Sequence, residues 1–191
     1  MQSVRLFLAL NLNAGTLNNL AKTIGELNND FPDARWCKKN AMHLTLRFFG
    51  TIPLISVVEI GKAVKSVVSK MNPIRFEVKG VGGFPSLENP RILWAGVTDG
   101  KEKIIRLAQN LSDALEEYDF IPERKKFVPH ITLARFKRGR KNIDGPTSLP
   151  AHLTEKSFGL TETNELLLYS SDLTENGPLY SVVDRWKFGK R

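Results

Sequence analysis

Apolar and polar positions alternate in ways that divide the chain into short elements. Residues 4–12 (VRLFLALNL) read as a buried strand. Ala14 to Asn29 places Leu17, Leu20, Ile24 and Leu27 at helical spacing, and Leu54 to Met71 does the same with Val57, Gly61, Val64 and Val68. A third amphipathic helix is expected from Lys101 to Tyr118, with Ile104, Ala108, Leu111 and Leu115 on its apolar face. Strands are expected at about 74–81 and 91–97, separated by the turn-rich GGFPSLENP, and at about 164–171 and 179–187 around TENGP. HLTLRFFG at 43–50 and HITLARF at 130–136 read as half-buried strands, the second entered through Pro129, which holds Val128 extended. Residues 138–152, rich in Gly, Pro and Lys, read as a mobile loop.

These elements repeat. RLFLA at 5–9 resembles RILWA at 91–95, and each is followed by an amphipathic helix, a basic loop and a strand opening His-x-Thr-Leu. The first pair is offset by 91 − 5 = 86 residues and the histidines by 130 − 43 = 87. The near-constant register predicts an α+β fold of two lobes related by a pseudo-twofold axis. Two antiparallel sheets would face a central cleft, with helices outside. On this reading residues 1–191 form one domain of two interleaved pseudo-repeats, about 1–85 and 86–191.

Composition narrows the class. The chain is 41% apolar and 25% charged, an ordinary globular balance, with no run of about 18 apolar residues to span a membrane. The N-terminus opens directly into a strand with no cleavage site, and the single Cys37 excludes an internal disulfide, so a cytoplasmic monomer is expected. Lys and Arg outnumber Asp and Glu by 28 to 20, a net charge of +8. The excess gathers at Lys38-Lys39, at Arg124-Lys125-Lys126 and across Arg135 to Lys141, close to the two histidine strands. Such clustering favours a polyanionic ligand.

The chain has three histidines, and two of them, His43 and His130, stand at the mouths of the repeated strands. Strict alternation puts His43, Thr45 and Arg47 on one face, opposite Leu44, Leu46 and Phe48. His130 and Thr132 likewise oppose Ile131 and Leu133. A lone strand histidine is usually structural; two at equivalent places in a duplicated fold suggest a matched pair. No carboxylate or cysteine stands at ligand spacing to complete a zinc site, and neither a G-x-S-x-G elbow nor a Walker glycine loop is present. No metal or cofactor is expected. Two imidazoles with ordinary pKa values near 6.5 can divide general acid and base roles at a phosphodiester, while threonine hydroxyls donate to the non-bridging oxygens.

The paired HLTL and HITL, with RLFLA before and GPLYSVVDRW near the end, resemble the 2H phosphoesterase superfamily. Within it the likeness is greatest to the bacterial and archaeal RNA 2′,3′-cyclic phosphodiesterases, also called 2′-5′ RNA ligases, and runs through essentially the whole chain. The resemblance implies metal-independent opening of RNA 2′,3′-cyclic phosphate ends, such as those of tRNA halves, to 2′-phosphomonoesters. It also implies a reversible 2′-5′ joining activity. Carried onto this sequence, it makes His43 the proton donor, His130 the acceptor, and Thr45 and Thr132 phosphate ligands. It places a phosphate-contacting arginine at Arg135, where strict alternation would turn the side chain away from His130. A bulge near Ala134 would reconcile the two, and Arg47 has the better parity. Phe7 and Phe48 match aromatic positions near the family's nucleotide site, although core packing is the stronger expectation for Phe48. Phe84 is a candidate exposed platform, Trp36 and Trp94 are expected in the core, and His152 in solvent. Two rival readings stay open: a phosphate-binding module without turnover, and a phosphodiesterase for a small nucleotide such as ADP-ribose 1″,2″-cyclic phosphate.

Overall fold

In the computed structural model, the apolar run at the N-terminus sorts into two faces. Leu6, Leu8 and Leu10 join the main core, while Phe7 and Ala9, also buried, lie outside that cluster. The structure describes residues 2–29, 31, 34–87, 89–136, 150–175 and 177–189. The strands are β1 (Ser3–Leu10), β2 (Arg35–Trp36), β3 (Leu44–Pro53), β4 (Ile74–Phe84), β5 (Ile92–Val97), β6 (His130–Arg135), β7 (Ser157–Thr163), β8 (Glu165–Thr174) and β9 (Gly177–Lys187). The helices are α1 (Ala14–Leu27), α2 (Ser56–Val68) and α3 (Lys101–Glu116), with short 3-10 turns at Lys39–Ala41 and Ala151–Thr154.

All recorded strand pairings are antiparallel, in the order β7-β4-β5-β6-β3-β1-β8-β9. The expectation of two separate sheets is therefore corrected to one continuous, mostly antiparallel sheet. Its seam is thin, because β3 and β6 share a single recorded pair, Leu44 with Ile131. Beyond that pair the two strands part, and β2 pairs with β6 through Arg35–Arg135 and Trp36–Ala134. The two histidine positions flank this seam: His43 precedes Leu44 on β3, His130 precedes Ile131 on β6, and both line one cleft.

Each helix buries a face close to the one its spacing predicts. In α1 the buried residues are Thr16, Leu20, Thr23 and Leu27; in α3 they are Ile104, Leu107, Leu111 and Leu115. The α1 stripe is rotated because α1 lies on β7. Asn13 accepts from the Thr16 amide at 2.8 Å as N-cap and donates to the Leu160 carbonyl at 2.6 Å, while Asn19 donates to the Phe158 carbonyl at 3.0 Å. α2 packs against α3 and β9, with the Trp186 ring of β9 in ordinary contact with the Gly61 position.

β7 and β2 are the strands that the sequence pattern did not predict. In β7 the buried positions are Phe158, Thr161 and Thr163, so two of the three inward residues are polar. Gly159, at φ 114°, also breaks the alternation. The Thr161 hydroxyl donates to that of Thr16 at 3.1 Å, which satisfies the buried pair. The strand beginning near 74 runs on to Phe84 because its glycines make room for an aromatic ring. A Cβ at Gly82 would lie 2.3 Å from the Trp94 indole. The Lys137–Lys141 part of the basic run lies outside the described residues, as does most of the expected loop at 138–152.

Candidate active site

Two bulges decide which side chains face the cleft. Ala9 pairs with Thr45 and Leu8 with Arg47, which leaves Leu46 as an extra residue in β3. Trp94 pairs with Thr132 and Leu93 with Ala134, which leaves Leu133 extra in β6. After each bulge the alternation reverses. Leu46 and Arg47 are both buried, as are Leu133 and Ala134. Phe48 and Arg135, each five residues beyond its histidine, are exposed and line the cleft beside His43, Thr45, His130 and Thr132.

The bulges send the two arginines to different sides. Arg135 reaches the cleft through the bulge and Arg47 does not. Arg47 is 8% exposed, its guanidinium donates to the Ile121 carbonyl, and its Nε is buried without a partner. The placement of Arg47 on the histidine face is thus corrected: strict alternation failed one residue earlier, at Leu46. The core expectation for Phe48 is corrected for the same reason. Its ring is 40% exposed, with the Arg5 guanidinium 4.7 Å above it.

Phe7 is also corrected as a base platform. It is only 2% exposed and already stacked, 4.7 Å from the His43 ring and 5.2 Å from Tyr169. Its faces are occupied, and it backs the imidazole. Phe84 is half-buried, edge-on to His130 at 5.1 Å and tilted against Trp94 at 5.2 Å, so it supports the second histidine and is no free platform. Trp94 lies edge-on to His130 at 6.3 Å, while Trp36 packs on the core and lines the cleft floor. His152 is exposed, as expected.

The two imidazoles are held alike. His43 Nδ1 lies 2.9 Å from the Ala41 carbonyl and His130 Nδ1 lies 2.7 Å from the Val128 carbonyl, each two residues back. A carbonyl only accepts, so each Nδ1 carries the proton and donates it; each neutral ring keeps Nε2 as its free acceptor. Burial lowers the His43 pKa to about 4, against the raising effect of the Ala41 bond, with the charges of Arg135 and His130 lowering it further. His130 is lowered too, by burial first and by Arg135, against its bond to Val128. At neutral pH both rings are therefore neutral in the free protein. An anionic phosphate between them would raise both pKa values.

Two residues around His43 carried no alternation signal of their own. Tyr180 of β9 stands edge-on to His43 at 5.2 Å, and burial raises its phenol pKa. Tyr169 of β8 donates to Asn11 Oδ1 at 2.7 Å. GPLYSVVDRW contains Tyr180, but only the antiparallel return of β9 onto β8 brings it to β1 and β3. The tip of that hairpin, with Leu173, Thr174 and Pro178, walls one side of a cavity of about 810 Å³. Burial raises the Cys37 thiol pKa, opposed by Arg135. Among the described residues no group of three or more His, Cys, Asp or Glu side chains could hold a metal ion, and no helix is long and apolar enough to cross a membrane.

Comparison with known proteins agrees with this geometry. The sequence matches the family model of the 2′-5′ RNA ligase superfamily over residues 18–166. It is 35% identical over 157 residues to a protein of Aquifex aeolicus named RNA 2′,3′-cyclic phosphodiesterase, covering 81% of this chain and 82% of that one. A protein of the same name from Thermotoga maritima is 30% identical over 189 residues, covering 97% and 96%. Among solved structures, TT0787 of Thermus thermophilus superposes with a TM-score of 0.79 at 25% identity, covering 96% of this chain and 97% of that one. Escherichia coli LigT complexed with 3′-AMP shares the fold at a TM-score of 0.77 and 21% identity, covering 98% and 99%. With the family model spanning most of the chain and two relatives of 30% identity or more matched over 82% and 96% of their length, the chain belongs to the 2′-5′ RNA ligase superfamily.

Proposed function

We propose that this chain hydrolyses the 2′,3′-cyclic phosphate at an RNA end to a 2′-phosphomonoester, with His43 as proton donor and His130 as acceptor. The observation that carries the reading is the matched pair of Nδ1-anchored imidazoles in one cleft, each with a threonine two residues on. Names of full-length relatives support the same activity. Water attacks phosphorus and loses its proton to His130 Nε2. The bond from phosphorus to O3′ breaks, and O3′ takes the proton from His43 Nε2. Each turnover leaves His130 protonated and His43 short of a proton, and exchange with solvent restores the pair between cycles. Thr45, Thr132 and Arg135 donate to the charge that builds on the non-bridging oxygens. Phe48, whose exposed ring lines the cleft beside the Arg5 guanidinium, supplies an apolar contact for the terminal base. A 5′-hydroxyl in place of water would give a 2′-5′ linkage by the same proton movements.

The fold reading goes with this. We take the chain as one domain of two interleaved pseudo-repeats, about residues 1–85 and 86–191. The equal spacing from histidine to bulge supports it, as does the packing of α1 on β7 in the opposite half of the sheet. Ladder register pairs Phe7 with Phe48 and Ile92 with Arg135, so Ile92 stands in the place of Phe7. Symmetry is thus broken where the base and the phosphate charge would sit: Phe48 on one strand, Arg135 on the other.

The test is product analysis on an oligonucleotide ending in a 2′,3′-cyclic phosphate, with and without excess EDTA. A 2′-phosphate product that persists in EDTA is expected. A dominant 3′-phosphate would reverse the roles of the histidines, and a requirement for added metal would end the two-imidazole mechanism.

A further inference from the structure

The cleft carries more positive charge than one cyclic phosphate needs. Arg5, Arg35, Lys38 and Arg135 line it, and among the described lining residues Glu175 is the one acidic side chain. Arg35 is the unusual member. It is the direct cross-strand partner of Arg135 in the β2–β6 pair, so the two side chains leave the sheet on the same face. Directly paired strand residues stand about 5 Å apart at the backbone, and like charges there repel. Both arginines are exposed and both line the cleft. Lys38, three residues beyond Arg35 and leading into the Lys39–Ala41 turn, adds a third cation to the same rim. An anion between them turns this repulsion into binding.

Building on the function proposed above, we propose that Arg35 and Lys38, beside Arg135, form a second phosphate subsite. It takes the phosphodiester on the 5′ side of the terminal nucleotide, so the cleft reads a polynucleotide end and not an isolated cyclic nucleotide. Arg135 faces the reacting phosphate, and its neighbour Arg35 lies one strand away across the β2–β6 pair. That spacing suits the next phosphate along a single strand. The β2 segment exists in the gap between β3 and β6 and places these cations there.

The test compares three substrates: a nucleoside 2′,3′-cyclic phosphate, its 5′-phosphorylated form, and a dinucleotide ending in the cyclic phosphate. The wild-type kcat/KM should rise about tenfold or more from the first to either of the others. In Arg35→Gln, and further in Arg35→Gln/Lys38→Gln, that gain should vanish through KM, leaving the unphosphorylated nucleotide unaffected. Equal loss on all three substrates would show that Arg35 only shapes the cleft. A gain confined to the dinucleotide would assign it to the second base. Binding is measured alongside, with a 3′-phosphorylated dinucleotide as the probe. Arg35→Gln should lower the slope of log affinity against log salt by about 0.7, the value for one single-strand phosphate contact. An unchanged slope overturns the subsite. Because that arm needs no turnover, it judges the subsite even if the wild-type protein cleaves none of the substrates, an outcome that would sink the hydrolase reading alone.

Discussion

At the scale of single residues, the two histidines differ from solvated ones in one physical respect: burial has removed their charge. With His43 at about 4 and His130 also below its ordinary value, the singly protonated pair becomes scarce as pH rises past 6.5. The alkaline limb of kcat/KM, which reports the free protein, should therefore lie at or below about pH 6.5. The limb of kcat should sit higher, because bound phosphate stabilises the imidazolium. A free-protein limb well above pH 7 would contradict the burial argument. His43→Ala and His130→Ala should each cost roughly 10²–10⁴-fold in kcat. The double variant should fall far short of the product of the two, since the pair acts as a unit. Near-normal turnover by either single variant would remove that residue from the mechanism.

At the scale of elements, a bulge after each His-x-Thr divides two arginines between two jobs. Arg47 is turned inward and holds the Ile121 carbonyl, while Arg135 is turned to the cleft. Arg47→Met should destabilise the fold by about 1–3 kcal/mol, because that carbonyl loses its donor. The folded fraction should keep its KM for a cyclic nucleotide. Arg135→Met should do the reverse, raising KM or lowering kcat with little change in the urea midpoint. The two variants, measured side by side by denaturation and kinetics, decide the assignment. Matching behaviour would mean that the bulges do not separate the faces.

At the scale of the whole molecule, closing one sheet around a thin seam buries the imidazoles and ties stability to pH. Each folded-state pKa lies below the unfolded value of about 6.5, so the unfolded chain binds protons first as pH falls. Stability is complete above about pH 6.5 and declines toward pH 4. For His43, whose value falls to about 4, the loss is on the order of 3 kcal/mol once the pH is well below 4. Urea midpoints at pH 7.5 and 4.5 should therefore drop less in a His43→Gln/His130→Gln variant than in the wild type. Equal drops would trace acid sensitivity to other groups. Inorganic phosphate should restore part of the wild-type loss, because it binds the charged pair.

Periodicity alone determined the three helices, most of the strands and the two His-x-Thr mouths. Those depend on local spacing: Ile104, Leu111 and Leu115 mark a helix face wherever the helix packs. The repeat of the histidine strand likewise marked His43, Thr45, His130 and Thr132 as a group, and all four line one cleft. Tertiary structure decided what alternation misread. A bulge forms only when a neighbouring strand fixes the register, so the sides taken by Arg47, Phe48 and Arg135 depended on β1 and β5. The strand at 157–163 hid because its inward threonines are acceptable only once Thr16 of α1 arrives to bond one of them. Arg35 reached the cleft through pairing with the distant β6, and Tyr180 through its hairpin partner β8, which pairs with β1 at the other end of the chain. Local order was written in spacing; the faces of the site were set by contacts between residues far apart in the chain.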